Sequence, residues 1–293
     1  MPKQEVSHTR LLTLTALAMM AFAANSLLCR LALKHTGIDA ASFTSVRLVS
    51  GALVLWVIVK VRNPDRPGQG SWLSALALFA YAACFSLAYI SLPAGTGSLL
   101  LFGAVQATMI GRGLWQGERL HGRQTLGLLL ALGGLLGLLA PGISAPPLMG
   151  SLLIITAGIA WGVYSLRGKS AGEPNRVTAG NFLRAVPLTL ALSLLLHGHS
   201  QLDVAGIGYA LASGALASGV GYTLWYSALP ALKATTAATV QLSVPVLAAL
   251  GGILFLGETL SLRLILAAIA VLGGIALVIR PMPAAPAPEQ DEA

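Results

Sequence analysis

The chain has 293 residues, of which 56% are hydrophobic and 10% are charged, and its formal net charge at pH 7 is +8. So few charged residues cannot cover a water-soluble globule of this length, so we predict an integral membrane protein. A charge of +8 would also suit a nucleic-acid partner, but only if the cations form one basic patch.

Ten apolar runs follow one another along the chain, each close to the length of about 20 residues that spans a bilayer as a helix. They are apolar nearly all round, which is typical of helices in lipid or in a bundle core. The first run follows a short leader at 1–9 without a small-residue cleavage site, so we interpret it as a retained helix and not a signal peptide. The Pro/Ala-rich acidic tail at 281–293 is predicted to be disordered. The predicted spans are 10–34, 40–62, 70–93, 96–115, 122–141, 147–167, 177–198, 202–228, 233–256 and 261–280.

The cations alternate between the two sides of this predicted all-α bundle. With the N-terminus in the cytoplasm, thirteen of the 18 Lys and Arg residues fall inside, and only Arg30, Lys34 and Arg263 fall outside. Arg47 and Arg184 lie within the second and seventh spans. Membrane proteins concentrate Lys and Arg in cytoplasmic loops. The charge therefore reflects topology, with both termini cytoplasmic, and we predict no nucleic-acid partner.

Residues suited to catalysis are missing from the middle of the spans. No Asp or Glu lies there, and every His is terminal or at a span end, whereas an enzyme needs a nucleophile with a base, a carboxylate pair or metal ligands. Cys29 and Cys84 lie in apolar runs without a neighbouring cysteine, which indicates neither a disulfide framework nor a metal site. We therefore predict no enzyme, no cofactor and no metal.

The second half of the chain repeats the first. A shift of about 137 residues aligns the two halves, and three extra residues later raise the shift to about 140. Arg, Pro and Glu in register are hard to obtain by chance in so apolar a chain. Because five spans are an odd number of crossings, we predict inverted repeats at 10–141 and 142–280, an arrangement used for alternating access around a midplane site. The aligned pairs include Arg30 with Arg167, Arg47 with Arg184, Phe85 with Tyr222, Tyr89 with Tyr226, Pro93 with Pro230, and Glu118 with Glu258.

These motifs carry a family resemblance. The second span contains "SFTSVRLVSGAL", and "GERL" at 117–120 and "GETL" at 257–260 precede the last, Gly-Gly-containing span of each half. Over residues 10–280 the chain resembles the drug/metabolite transporter superfamily and its ten-helix EamA-type exporters. The aromatic residues of its presumed cavity are similar to those of the bacterial aromatic amino-acid exporters of the YddG type. One departure is that the family commonly has Pro in the fourth and ninth helices, whereas this chain has only Pro245, opposite Val105.

Aromatic side chains recur on one face of two predicted helices, at the i, i+4 and i+8 spacing of an α-helix. Trp161 lies midway along the sixth span, where it would make a wall for a flat substrate. The alternatives are a lipid-interface belt of Tyr and Trp, and core packing of Trp161. The two stripes are Tyr81, Phe85 and Tyr89 on the third helix, and Ser218, Tyr222 and Tyr226 on the eighth.

Polar side chains also lie well inside the spans, at Asn25, Gln106, Gln241 and Ser243. A buried amide without a partner is costly, so each must face protein or a wet cavity. Substrate binding and interhelical hydrogen bonds are the two alternatives. Gln241 and Ser243 are two residues apart, so only distortion around Pro245 would aim both at one cavity.

Two charged pairs occupy aligned positions. Arg47 and Arg184 each cost about 2.5–3.5 kcal/mol at mid-membrane, less if they snorkel. They either pack or snorkel, or they contact a substrate carboxylate. Glu118 and Glu258 precede the fifth and tenth helices, where a carboxylate complements the helix dipole, so we interpret them as structural.

The sequence thus predicts a bacterial inner-membrane exporter of small, partly apolar metabolites, chiefly amino acids including aromatic ones. Its partners would be the substrate and the lipid bilayer, and it would function as a monomer. The alternatives are a drug, purine or other metabolite exporter of the same fold, and a membrane scaffold without transport activity. The lack of a mid-span carboxylate favours a carrier without a coupled ion.

Overall fold

The computed structural model describes most of the chain, and this part is all-helical, without a strand. The first seven residues, Glu118, and the tail from residue 280 onward lie outside it. The predictions for Glu118 and for a disordered tail therefore stay predictions. The described residues are 8–62, 69–117, 119–142, 145–168, 171–196, 201–232, 237 and 240–279.

Ten helices follow one another, and the predicted all-α membrane fold is confirmed. Within the described residues, nine of them are long and apolar enough to cross a membrane, and the ninth in order, with 14 residues, is shorter. The helices are α1 His8–His35, α2 Ala40–Arg62, α3 Trp72–Tyr89, α4 Ala94–Trp115, α5 Gly122–Leu139, α6 Leu148–Gly168, α7 Pro174–Leu195, α8 Val204–Ala231, α9 Ser243–Leu256 and α10 Leu262–Ile279.

The ninth predicted span is interrupted just before Ser243. Its predicted start at residue 233 lies outside the described part, as do residues 234–236 and 238–239. The described residues 237, 240 and 241 are helical, Leu242 is in a turn, and the continuous helix α9 starts at Ser243. Pro245 falls in the first turn of α9, where its fixed φ suits a helix and its missing N–H group has no intrahelical partner to lose. Pro245 therefore favours a helix start at this point.

Helix α8 is not a uniform α-helix. Its central part is rich in Ala, Ser and Gly, and a Cβ added to Gly214 would lie only 2.1 Å from the carbonyl oxygen of Arg47. Only glycine permits this approach, so the widened turns of α8 lie directly against α2 at the level of Arg47. The successive segments are α-helical Val204–Leu211, π-helical Ala212–Val220, α-helical Gly221–Ala228 and a 3₁₀ turn at Leu229–Ala231.

The main contacts between helices have counterparts when the two halves of the chain are exchanged. Helix α3 packs against α6 and α7, while α8 packs against α1 and α2. Helix α4 packs against α6, and α9 packs against α1. Helix α2 packs against its own counterpart α7, and α5 packs against its own counterpart α10. Such a pattern is what a two-fold relation between the halves produces.

Asp39 joins two loops at one end of the bundle. Its carboxylate accepts hydrogen bonds from the backbone N–H groups of Ala41 and Ser42, at 2.9 and 3.0 Å, and so caps α2. It also accepts one from Gln201 N, at 2.9 Å, in the loop before α8. Burial alone would raise the pKa of Asp39, but these hydrogen bonds outweigh it and hold the pKa below its ordinary value of 3.8.

We expect Asp39→Ala to destabilise the protein by about 1 kcal/mol at pH 7, because the cap and the loop contact are both lost. A carboxylate with a lowered pKa in the folded state stabilises the protein above the unfolded-state pKa, and that contribution disappears as the pH falls through the folded-state value. Thermal unfolding in detergent should therefore separate wild type from Asp39→Ala at pH 7, and the difference should shrink as the pH falls below the ordinary Asp pKa of about 3.9. A difference that stays constant over this pH range would contradict this role of Asp39.

Candidate functional site

A cavity of about 380 Å³ lies inside the bundle, and helices of both halves form its wall. Its narrower inner end continues between α1, α3, α4, α6 and α8. Small-molecule sites combine such apolar and aromatic walls with a few polar groups. The predicted site residues on this wall are Asn25, Tyr81, Phe85, Gln106, Trp161, Tyr222 and Gln241.

Aromatic rings pack on one another around Trp161. Its ring stacks on Tyr164 and Tyr222, with centroids 5.2 and 5.3 Å apart and interplanar angles of 26° and 30°. The Tyr81 ring lies 4.8 Å from Trp161, and Phe22 lies 5.8 Å from Tyr222. Rings from α1, α3, α6 and α8 thus form one aromatic wall within the bundle, away from the positions of a lipid-interface belt.

A hydrogen-bonded polar chain links four helices at the inner end of the cavity. Arg47 Nη2 donates to the Tyr81 hydroxyl oxygen at 3.1 Å, and Asn25 Nδ2 donates to the same oxygen at 3.2 Å. Ser213 Oγ donates to Asn25 Oδ1 at 2.7 Å. This chain fixes the orientation of the Asn25 amide and of the Tyr81 ring. It joins α2, α3, α1 and α8, and so spans both halves.

The two glutamines also lie on the cavity wall. Gln106 of α4 is buried, and it makes no hydrogen bond to the described residues. Gln241, just before α9, donates from Nε2 to the carbonyl oxygen of Ala237 at 3.4 Å and lines both parts of the cavity. Both side-chain amides therefore have groups that are free to hydrogen-bond to a ligand.

Three of the predicted site residues are not on the cavity wall: Arg47, which lies behind Tyr81, and Ser243 and Arg184. Ser243 Oγ donates to the carbonyl oxygen of Val240 at 2.7 Å, and Ser243 is not on the cavity wall. Arg184 Nη1 donates to the carbonyl oxygens of Gln69 and Gly180, at 3.1 and 2.9 Å, near the start of α7. Arg184 therefore holds the loop before α3, because its guanidinium reaches the backbone at the helix end.

An ion pair joins the two halves at one end of the bundle. Arg30 Nε lies 3.3 Å from Glu258 Oε1, and each side chain is only 10% exposed. Arg30 Nη1 also donates to the carbonyl oxygens of Tyr89 and Ile90 at 2.8 and 2.7 Å. Glu258 Oε2 accepts from Ala94 N at 2.8 Å. Glu258 thus acts at the N-terminus of α4, and not only next to its own helix α10 as predicted.

The cavity opens at the opposite end. Its wall reaches Gly168, Gly172 and Pro174, in the loop between α6 and α7. Arg167 Nε donates to Ser74 Oγ at 3.1 Å, which places this loop at the start of α3. The Arg30–Glu258 pair lies at the other end of α3 from this opening.

The comparisons with known proteins agree with a transporter. A model of the EamA-like transporter family matches the chain twice, at residues 10–140 and 148–280. The chain belongs to the EamA-like transporter family. A solved crystal structure has the same fold, with a TM-score of 0.65 and 18% sequence identity, and the match covers 93% of this chain and 98% of that one.

Three relatives show how far the similarity extends. An uncharacterized protein of Pseudomonas aeruginosa is 62% identical over 273 residues, 93% of this chain and 95% of that protein. The threonine/homoserine exporter RhtA of Salmonella typhimurium is 34% identical over 164 residues, 53% of this chain and 55% of the exporter. A probable amino-acid metabolite efflux pump of Escherichia coli is 27% identical over 223 residues, covering 71% and 74%. The narrower resemblance to the YddG type stays a prediction.

Several wall residues were missed by the sequence analysis. Phe22 and Trp225 pack together, with centroids 6.1 Å apart, and both line the cavity with Tyr164. Phe22 lies one turn before Asn25, and Tyr164 lies one turn after Trp161, so helical spacing from a predicted residue would have found them. Trp225 lies one turn after Tyr222 in the α-helical segment Gly221–Ala228, so the same spacing would have found it.

Proposed function

We propose that this EamA-like transporter exports amino acids and related small metabolites, aromatic ones included, across the bacterial inner membrane. The observation that carries the proposal is a cavity walled by stacked rings and amides from both halves, with an opening at one end of the bundle and an ion pair at the other. The relatives named as a threonine/homoserine exporter and a probable amino-acid metabolite efflux pump support amino acids as the substrate class. Helices from both halves of one chain build the cavity wall, and we propose that the protein functions as a monomer.

The mechanism we propose is alternating access between two inverted repeats, at 10–141 and 142–280. With both termini cytoplasmic, as the cation distribution predicts, the loop between α6 and α7 faces the cytoplasm. The cavity is then open inward, and the Arg30–Glu258 pair closes the outer end. Export would require this pair to separate after the cytoplasmic end has closed around the substrate.

The proposal is tested with the purified full-length protein in liposomes. We expect saturable uptake of labelled amino acids, including phenylalanine and threonine, and inhibition by unlabelled amino acids. Saturable flux of a cationic drug or a purine, but of no amino acid, would assign the protein to a different export specificity. Folded protein without substrate-dependent flux for any of these compounds would support a scaffold without transport activity.

We expect transport to be independent of a proton gradient. Proton coupling normally uses an ionisable carboxylate or histidine near the substrate site, and the described residues of the cavity wall include neither. Net uptake of phenylalanine into proteoliposomes should therefore reach the same plateau with and without an imposed pH gradient. Accumulation above equilibrium that follows the pH gradient, with the membrane potential neutralised, would contradict this prediction.

A further inference from the structure

Arg47 is a buried cation without a counter-charge. Its side chain is only 1% exposed, and among the described residues its Nε and Nη1 atoms have no hydrogen-bond acceptor. Within the part of the chain that the structure describes, the guanidinium donates one hydrogen bond, to the neutral hydroxyl of Tyr81. A buried charge is normally paired, because desolvation without a partner is very costly. The surroundings of Arg47 therefore favour an anion that the described residues do not supply.

The Tyr81 hydroxyl connects Arg47 to the cavity. A hydroxyl group has one O–H donor and two acceptor lone pairs. The Tyr81 oxygen already accepts from Arg47 Nη2 and from Asn25 Nδ2, so its remaining capacity is to donate. Tyr81 lies on the wall of the inner end of the cavity. The polar chain therefore offers the ligand one O–H donor, polarised by the guanidinium behind it.

The field of Arg47 also reaches the cavity through two aromatic rings. The guanidinium carbon lies 5.2 Å from the ring centroid of Tyr81 and 4.9 Å from that of Phe85. Both rings line the inner end, whereas Arg47 does not. In such an apolar, poorly hydrated setting the charge of Arg47 is weakly screened, and the inner end of the cavity favours negative charge.

We propose that Tyr81 donates its hydroxyl hydrogen to a carboxylate oxygen of the substrate. Arg47 acts as a positioning residue that makes this location selective for a carboxylate over a neutral amide or an amine. The inference rests on the proposed export of amino acids and names the residues that select the substrate carboxylate. The Oε1 atom of Gln241, which accepts no hydrogen bond from the described residues, is left for the ammonium group at the wider end of the cavity.

The first test compares ligands of one size and different charge. Equilibrium binding to the purified full-length protein is measured for phenylalanine, phenylalanine amide, 3-phenylpropionate and phenethylamine. A hydrogen bond to a charged group predicts that each carboxylate binds at least about tenfold more tightly than its uncharged or cationic counterpart. Equal affinities for the acid and the amide would overturn the inference.

The same ligands separate this inference from the proposed function. Amino-acid flux in liposomes together with equal binding of acid and amide would leave the export function standing and overturn the role of Tyr81. Tenfold selective binding of carboxylates without any flux would support the role of Tyr81 and contradict export.

Substitutions of Tyr81 and Arg47 test which side chains produce the preference for a carboxylate. Tyr81→Phe keeps the ring and removes the donor, so the preference for acid over amide should fall by about tenfold. Arg47→Gln should lower the same ratio, and Arg47→Lys should restore part of it. A merely structural role would weaken the binding of both ligands alike. Tyr209→Phe is the matched control, since Tyr209 of α8 lies off the cavity wall, and it should leave the ratio unchanged.

Tyr81→Phe decides the matter if Arg47→Gln does not fold. An unchanged ratio of acid to amide affinity in Tyr81→Phe would overturn the proposal, whatever the outcome for Arg47.

Discussion

Replacing Trp161 with alanine is expected to weaken binding and export of aromatic amino acids by about tenfold or more, and to change threonine export much less. The indole contacts three tyrosine rings with centroids 4.8 to 5.3 Å away, so it forms most of a flat, rigid wall. Each aromatic contact contributes roughly 0.5–1.5 kcal/mol beyond simple burial, and about 1.4 kcal/mol is a factor of ten in affinity. The measurement is the concentration dependence of phenylalanine and threonine uptake in proteoliposomes.

Trp115→Ala is the matched control for this experiment. Trp115 ends α4, is 84% exposed and lies off the cavity wall, so its loss should change neither substrate's uptake. If Trp161→Ala lowered the folded yield and the uptake of both amino acids in equal proportion, Trp161 would be a packing residue and the aromatic wall would not be a binding surface.

Glu258→Gln is expected to open the outer end of the protein. Removing one partner of a poorly exposed ion pair costs about 3 kcal/mol, which is enough to shift the balance between two conformations on the order of a hundredfold. Ser26 lies at the inner end of the cavity and is 1% exposed. A Ser26→Cys reporter, in a background with Cys29→Ser and Cys84→Ser, should therefore react with an external membrane-impermeant maleimide much faster when Glu258→Gln is present.

The control removes a carboxylate that also accepts hydrogen bonds from a helix N-terminus, but at the opposite end of the bundle. Glu173 caps α7 by accepting from Asn175 N and Arg176 N, at 3.2 and 3.0 Å. Glu173→Gln should leave the labelling of Ser26→Cys from outside as slow as in the wild type. Equal labelling in both variants would mean that the Arg30–Glu258 pair does not hold the outer end closed.

Helix positions were predictable because the bilayer sets the length of each apolar run directly. The predicted span 40–62 coincides with Ala40–Arg62, and the predicted start at 122 coincides with that of α5. Irregular segments were not predictable in this way. The π-helical turns of α8 lie where Gly214 closely approaches α2, which is a tertiary contact that hydropathy does not report.

Site residues were predictable only where the regular spacing of an α-helix places them on the same face. The spacing of Tyr81 and Phe85 put both on one face, and both line the cavity. The Arg30–Glu258 pair joins residues 228 positions apart and could not be found from spacing. The position of Arg47 behind Tyr81, and not on the cavity wall, follows from how α2, α3 and α8 pack.

The central claim, that one cavity carries amino acids by alternating access, is tested most directly by counterflow. Proteoliposomes loaded with unlabelled phenylalanine are diluted into trace labelled phenylalanine, and the internal label is followed over time. A carrier that exchanges its site between the two sides predicts a transient accumulation of label well above equilibrium, abolished by omitting the internal substrate. Entry of label that rises only to equilibrium and is indifferent to internal substrate, or no entry at all with folded protein, would contradict alternating access.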